Sequence, residues 1–351
     1  MRDTRFATLI SAVALAVLLP ASGRAQSFNI DHDTWFGNER ARMTLEIIAT
    51  ADTGLFAPVI RAYLARNPDL RIRYSEAPSI DTYIAITEAG AQYDLVISSA
   101  MDLQIKLAND GHATAIRPSG AESLPDWARW RDLVFSVAQE PAVLIVHDSV
   151  LDDWRPVPRS RHDLIDLLRE NPEMFDGRIG TYDPVSSGVG YMFATQDART
   201  TDSFWRLSEV LGRLNVQLYC CSFDMLEAVR NGELLMAYNV IGSYAATHLD
   251  PGAPVHLVEL EDYTLTLLRT ALVPVTARAP QQGVDFLSFM LSDEGKKLIA
   301  DAAHLPPVDV VEFVNAPHLR PIQLDPGLLT WLDQQMRRQF LSEWDAAMEQ
   351  P

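Results

Sequence analysis

The sequence lacks the motifs that mark most enzymes and metal sites. Only two cysteines occur in 351 residues, and they are neighbours, Cys220 and Cys221, so neither a Cys-x-x-Cys redox pair nor a metal-ligand spacing is present. No Gly-x-Ser-x-Gly turn, His-Glu-x-x-His motif or glycine-rich phosphate loop with lysine occurs. These absences argue against the common hydrolases and nucleotide-binding enzymes. The cysteine pair itself is either a strained vicinal disulfide or a buried reduced pair.

Long apolar runs are missing beyond the N-terminus. The run 6–20 follows two arginines and precedes small residues that end at Ala25, which predicts a cleaved signal peptide of residues 1–25. The run is shorter than the roughly 20 residues that span a bilayer, which argues against a retained anchor. We therefore expect an exported protein of the periplasm.

Positive charge is scarce. Lys and Arg number 29 against 47 Asp and Glu, for a net charge of -18. Such a surface repels nucleic acid and anionic lipid, so neither is expected as a partner. An anionic ligand is still allowed, because a buried site is governed by its local dipoles and donors.

Short apolar runs alternate with amphipathic stretches, as in an α/β fold in which strands lead into helices. The length exceeds what one hydrophobic core usually organises, so two lobes are expected. Residues before about Arg42 read as an irregular leader. The predicted units are lobe 1 from 42–136 with 272–310, lobe 2 from 147–265, hinge strands at 137–146 and 266–271, and a C-terminal helical tail at 311–351 that packs on the outside of a lobe.

Three local patterns are specific enough to test. Residues 134–147 read as one long buried strand, and 101–109 as a helix that stops at Gly111. The segment from Ser160 to Asp163 resembles a capping box that opens a helix. The acidic pair at 152–153 reads as a solvated turn.

Four loops that follow predicted strands are rich in hydroxyl residues and glycine. In open α/β sheets ligands lie beyond the carboxyl ends of the strands, where helix N-termini present unpaired N–H groups. Each such loop can also be a simple helix cap. The candidate ligand-binding residues are Thr50, Asp52, Thr53, Ser98 and Ser99 in lobe 1, and Ser186, Ser187, Gly188, Tyr238, Asn239 and Ser243 in lobe 2.

No cationic side chain lies in these four loops. Anion binding would therefore depend on helix dipoles and hydroxyl donors. Arg269 and Lys106 are weaker candidates that we expect to face solvent.

Several segments together resemble a known family. They are residues 50–60 (TADTGLFAPVI), 94–102 (DLVISSAMD), 140–145 (EPAVLI), 182–191 with Tyr-Asp-Pro and Ser-Gly-Val-Gly-Tyr, and 291–295 (LSDEG). They occur in the order found in the family 1 extracellular solute-binding proteins of ABC transporters. The resemblance implies a two-lobed periplasmic binding protein fold of type II, no enzymatic activity, no cofactor and a monomer. It also implies a small polar, anionic solute, phosphorylated or carboxylated, that is passed to a membrane permease.

Within that family the resemblance is to the iron(III), sugar-phosphate and phosphoglycerate branch. Ferric binders typically use an adjacent Tyr-Tyr pair in lobe 2, which is absent here, so iron is the alternative ligand. A sensor kinase of the inner membrane is the alternative partner. A serine hydrolase built on Ser187 is disfavoured for want of its motifs.

Overall fold

The structure is a computed structural model that describes residues 27–151, 157–250 and 252–349. The predicted signal peptide and the acidic turn at 152–153 lie outside these ranges. The first lobe is a twisted sheet with helices on its faces. Its elements in chain order are β1 (His32–Gly37), β2 (Met43–Ala49), α1 (Thr53–Arg66), β3 (Leu70–Glu76), α2 (Ser79–Thr87), β4 (Leu95–Ser98), α3 (Met101–Asn109), β5 (Arg129–Trp130) and β6 (Val134–His147).

The second lobe follows from β6 and ends with the strand that returns to lobe 1. Its elements are α4 (Arg161–Glu170), α5 (Pro172–Phe175), β7 (Ile179–Tyr182), α6 (Gly188–Thr200), α7 (Ser203–Arg213), β8 (Gln217–Tyr219), α8 (Ser222–Arg230), β9 (Met236–Ile241), α9 (Gly242–His248), β10 (Val255–Val258) and β11 (Thr264–Leu272). The chain closes with α10 (Pro280–Leu291), α11 (Asp293–Ala303), α12 (Val310–Asn315), β12 (Leu319–Pro321) and α13 (Gln334–Met348).

The two lobes share one continuous ladder of strands. The order is β1-β3-β2-β4-β11-β6-β9-β7-β8, and β5, β10 and β12 pair alongside β6 and β11. The long strand β6 joins the lobes, since its first half pairs with β11 and its second half pairs with β9 and β10. The parallel pairs β2·β3 and β2·β4 place the carboxyl ends of three lobe 1 strands at one edge, and that edge faces lobe 2.

Several local predictions are confirmed. Strand β6 and helix α3 have the predicted bounds, because their apolar periodicity was strong enough to specify them without tertiary information. The capping box is also present, with the Ser160 hydroxyl accepting from Asp163 N–H and the Asp163 side chain accepting from Ser160 N–H.

The prediction of an irregular leader before Arg42 is wrong. Residues 32–37 form β1, which pairs antiparallel with β3 along its whole length. Among its side chains only Phe36 is buried, and Trp35 is half exposed under the Arg71 guanidinium, which lies 4.5 Å from the ring centroid. An edge strand with one buried side chain has almost no hydrophobic alternation, which explains why the sequence pattern failed there.

The C-terminal tail contacts both lobes, whereas the sequence predicted packing on one lobe. A 3₁₀ helix at Pro326–Leu332 packs against α3 of lobe 1, while α13 packs against α7 of lobe 2. The Tyr191 hydroxyl of α6 donates to the Trp331 carbonyl at 2.5 Å. Among the described ranges, no helix has the length and apolar composition needed to cross a membrane.

Candidate functional site

A cavity of about 130 Å³ lies between the lobes. The residue at the N-cap position of each of six helices lines it, three from each lobe. These residues are Asp52 (α1), Pro78 (α2), Ala100 (α3), Ser187 (α6), Cys221 (α8) and Ile241 (α9). Each N-terminus carries a positive partial charge of about half a unit, so the helices offset part of the negative charge of the carboxylates at the cavity.

In lobe 1 the wall is formed by two adjoining loops. Ser99 N–H donates to the Thr50 hydroxyl oxygen at 3.1 Å, and the two hydroxyl oxygens lie 3.4 Å apart. This contact fixes the loop after β2 against the loop after β4. Thr50, Asp52 and Ser99, three of the predicted residues, therefore lie together on one face of the cavity.

In lobe 2 the facing wall begins with the predicted serines 186 and 187. The Ser186 hydroxyl donates to Asp183 at 2.7 Å, while the Ser187 hydroxyl accepts from Gly190 N–H at 3.2 Å and caps α6. Both serines line the cavity. Tyr182 lines it as well, and its hydroxyl is hydrogen-bonded to that of Ser222.

Four predicted residues lie near the cavity but have other partners. The Ser98 hydroxyl accepts from Ala100 N–H at 3.1 Å and is buried in the loop. The Thr53 hydroxyl donates to the Glu76 carboxylate, and that of Ser243 donates to Glu140. Gly188 forms a contact between the lobes, since a Cβ there would lie 2.6 Å from the Ser79 hydroxyl and 3.2 Å from Leu103.

The prediction that Tyr238 and Asn239 follow a strand is wrong, because β9 continues to Ile241. Both residues belong to a buried polar cluster inside lobe 2. The Tyr238 hydroxyl donates to Asp197 at 2.8 Å and accepts from Arg161 Nε at 2.7 Å, and the Asn239 amide donates to Asp197 at 2.7 Å. Neither side chain is among those that line the cavity.

Arg269 is also placed differently from the prediction. It is fully buried, and its guanidinium donates to both carboxylate oxygens of Glu140, at 2.8 and 3.1 Å. The pair joins β11 to β6 where the two strands connect the lobes. Lys106, by contrast, is partly exposed and pairs with Asp110 at 2.6 Å. The sequence signal for the buried pair was a single Asp, Glu, Lys or Arg within each of two strands that have no other such residue.

Carboxylates lie beside the helix N-termini on the lobe 1 side. Asp31, Asp52 and Glu76 line the cavity, whereas no Lys, Arg or His among the described residues does so. Glu76 accepts from Thr53 N–H at 2.7 Å and thereby caps α1. Burial, and then the neighbouring Glu76 charge, raise the pKa of Asp52. This wall can therefore accept hydrogen bonds from hydroxyl or amino groups of a ligand.

The structure decides the state of the cysteine pair, which is a vicinal disulfide that lines the cavity. Both cysteines and Asp224 also form a group close enough to hold a metal ion, the one such group among the residues that the structure describes. Because the disulfide consumes both thiols, no thiolate ligand is available there.

Comparisons with known proteins agree with this geometry. The model of the family described as bacterial extracellular solute-binding protein matches residues 45–302. The substrate-binding protein of an ABC transporter from Agrobacterium tumefaciens is 30% identical, with a TM-score of 0.86, and the alignment covers 92% of this chain and 100% of that one. A search of the curated proteins returned no match.

Two more distant structures share the fold. Iron-bound HitA from Pseudomonas aeruginosa is 22% identical with a TM-score of 0.64, over 87% of this chain and 99% of that one. AfuA from Actinobacillus pleuropneumoniae, with fructose-6-phosphate bound, is 17% identical with a TM-score of 0.70, over 88% of this chain and 100% of that one. At these identities the likeness concerns the fold.

Proposed function

This chain belongs to the family of bacterial extracellular solute-binding proteins, and from that premise we propose that it captures a small anionic solute between its lobes. It is the solute-binding component of an ABC transporter, not an enzyme. The proposal concerns the chemistry of the solute, the closing motion, and export to the periplasm by the N-terminal segment.

The observation that carries the proposal is that the N-termini of α2, α3, α6 and α8 meet at one cavity, in addition to that of α1, which Glu76 already caps. Unpaired backbone N–H groups and aligned peptide dipoles at helix N-termini stabilise phosphate and carboxylate oxygens without any cationic side chain. The hydroxyls of Thr50 and Ser99 add polar groups around the same space. An anionic head group is the ligand that this arrangement serves best.

The lobe 1 carboxylates add a second requirement. Asp31, Asp52 and Glu76 repel an anion that approaches them directly, so the anionic group is placed away from them, toward Ser99 and Ser187. The rest of the solute then presents hydroxyl or amino donors to Asp52. A cavity near 150 Å³ holds a molecule about the size of benzene, so the present 130 Å³ suits a solute of similarly few atoms.

The motion we propose is closure about β6 and β11. Gly188 of lobe 2 is in close contact with Ser79 and Leu103 of lobe 1, and the Tyr244 hydroxyl lies 3.4 Å from the Thr50 carbonyl oxygen. These contacts join the lobes on two sides of the cavity and would separate on opening. A solute that touches both walls stabilises the closed form by its differential affinity for that form.

Ferric ion is the alternative solute. A hard ferric ion prefers phenolate and carboxylate oxygens, and Tyr182 and Tyr244 line the cavity together with the lobe 1 carboxylates. The adjacent Tyr-Tyr pair that ferric binders typically use is absent from the sequence. The fold is shared with an iron-bound protein and with a sugar-phosphate-bound one, so both solutes belong in the screen.

The test is a thermal-shift screen of the protein without residues 1–25. Its ligands are sugar phosphates, phosphoglycerates, alkylphosphonates, dicarboxylates and ferric ion. A solute present at about 100 times its Kd stabilises the protein by about 2.7 kcal/mol. We expect a phosphorylated or carboxylated solute to give the largest shift.

The variant Ser99→Ala/Ser187→Ala should lose that ligand-induced shift. Because Ser187 caps α6, the variant also loses about 1 kcal/mol of baseline stability, so each shift is measured against its own apo protein. The matched control is Ser119→Ala/Ser149→Ala, which changes one exposed serine outside the cavity in each lobe. A shift given by ferric ion alone, or one that survives in the double cavity variant, would contradict the proposal.

A further inference from the structure

The vicinal disulfide occupies an unusual place in the cavity. Cys220 and Cys221 join the end of β8 to the start of α8, and both line the cavity with Phe223. A bridge between neighbouring residues closes no long loop, so it contributes little to the stability of the fold. Its position at the ligand cavity suggests a role in the site itself.

The lobe 2 wall combines hydroxyl groups with apolar side chains, which include Val189 and Ile241. Tyr182, Ser187 and Ser222 present hydroxyl groups there. A disulfide has no hydrogen-bond donor, and its sulfurs are weak acceptors. The Phe223 ring beside it is 40% exposed. Together the three residues form an apolar patch, the disulfide patch, on the wall of the cavity.

An apolar patch gains free energy only when an apolar group covers it. Nothing in lobe 2 covers it fully, since Cys220 and Phe223 remain exposed and Cys221 partly so. The patch lies on the lobe 2 wall, across the cavity from Asp31 and Asp52 of lobe 1, and the Asp224 carboxylate lies 3.9 Å from the Cys220 sulfur, which disfavours an anionic group there. The anionic group and the apolar part of one solute can therefore occupy different portions of the cavity.

We propose that the disulfide patch, Cys220, Cys221 and Phe223, is a subsite for a short hydrocarbon part of the solute, and that its affinity depends on the oxidised state of the pair. This inference rests on the proposed function, which assigns the cavity to an anionic solute. It narrows the solute to one with an anionic head and a short alkyl portion.

Reduction would divide the patch. The S–S bond takes up two electrons and two protons and becomes two thiols, while a phosphine reductant and one water molecule become phosphine oxide. The two side chains are then free to rotate apart, and each carries an S–H group. The continuous sulfur surface is lost, but the helix N-termini that hold the anionic head are retained.

The experiment compares three alkylphosphonates, which share one head group, with inorganic phosphate as the anion that carries no carbon. Dissociation constants are measured by calorimetry for inorganic phosphate, methylphosphonate, ethylphosphonate and propylphosphonate. The oxidised protein should bind about fourfold more tightly for each carbon that reaches the patch. The phosphine-reduced protein and Cys220→Ser/Cys221→Ser should gain less than twofold per carbon, with phosphate affinity unchanged within about twofold.

Two further variants support the comparison. Phe223→Ser should also reduce the gain per carbon, and it leaves the disulfide in place. Val314→Ser, an apolar-to-polar change at a 74% exposed position of α12, should keep the full gain. Thermal unfolding of each form establishes that it is folded.

The outcomes separate the two proposals. An equal gain per carbon in the oxidised, reduced and Cys220→Ser/Cys221→Ser proteins would overturn the subsite while leaving the anionic cavity intact. A gain that is also lost in Val314→Ser would overturn the assignment to this patch. Failure of the oxidised protein to bind phosphate or any phosphonate would overturn the subsite, and the absence of a shift with every phosphorylated and carboxylated solute of the screen would overturn the proposed function as well.

Discussion

The buried pair of Arg269 and Glu140 should contribute strongly to stability. Both side chains are fully buried, and two hydrogen bonds of 2.8 and 3.1 Å join them across β11 and β6. Replacing Arg269 by Met leaves the Glu140 carboxylate with the Ser243 hydroxyl as its remaining side-chain partner. An uncompensated buried charge costs about 3–5 kcal/mol, so Arg269→Met should lower the free energy of unfolding by that amount.

The second half of this prediction is a double-mutant cycle. Glu140→Leu/Arg269→Met removes both charges, and replacing a whole buried pair by apolar residues is often neutral or stabilising. The double variant should therefore be more stable than either single variant. Each free energy is measured by urea unfolding followed by circular dichroism.

A surface pair provides the control. Lys297 and Asp301 are 75% and 62% exposed and lie 2.7 Å apart on α11. Lys297→Met should change the free energy of unfolding by less than about 0.5 kcal/mol, because solvent screens exposed pairs. The reasoning is refuted if Arg269→Met costs no more than Lys297→Met, or if the two single-variant losses at the buried pair simply add in the double variant.

Three other predictions concern pH, closure and the tail. Burial raises the pKa of Asp102 to about 7, so its contribution to the free energy of unfolding is full below about pH 4 and is lost as the pH rises to 7. Urea unfolding should show a loss of up to about 4 kcal/mol over this range, and Asp102→Asn should abolish this pH dependence. Gly188→Leu places a side chain against Ser79 and should weaken solute binding at least tenfold in calorimetry with little change in Tm. Unchanged affinity would mean that this contact does not accompany closure. Gly212→Leu should displace the end of α13, because a Cβ there would lie 2.4 Å from the Met348 carbonyl oxygen; an unchanged Tm and unchanged proteolysis of the tail would contradict this.

Part of the site could be predicted from the sequence. Loops that follow buried strands and carry serine or threonine were identified from local patterns, and Thr50, Asp52, Ser99, Ser186 and Ser187 all line the cavity. They do so because the carboxyl ends of parallel strands share one edge of a sheet. Whether these side chains bind the solute stays a prediction.

The other candidates depended on partners that local patterns do not reveal. The hydroxyl of Ser243 donates to Glu140, more than a hundred positions earlier in the chain. The side chains of Tyr238 and Asn239 donate to Asp197. The burial of Arg269 could not be predicted for the same reason. An arginine in a strand is expected to be solvated unless a buried carboxylate lies beside it.

The sequence by itself determined the α/β class and the strongly periodic elements such as β6 and α3, because apolar periodicity and capping residues act within a few positions of the chain. The tertiary structure alone decided which polar groups remain free for a solute, that the tail contacts both lobes, and that the cysteine pair is bonded in the cavity. The physical reason is that burial and hydrogen-bond partners are set by residues distant in sequence, and each polar group that finds a partner inside the protein is no longer available to a ligand.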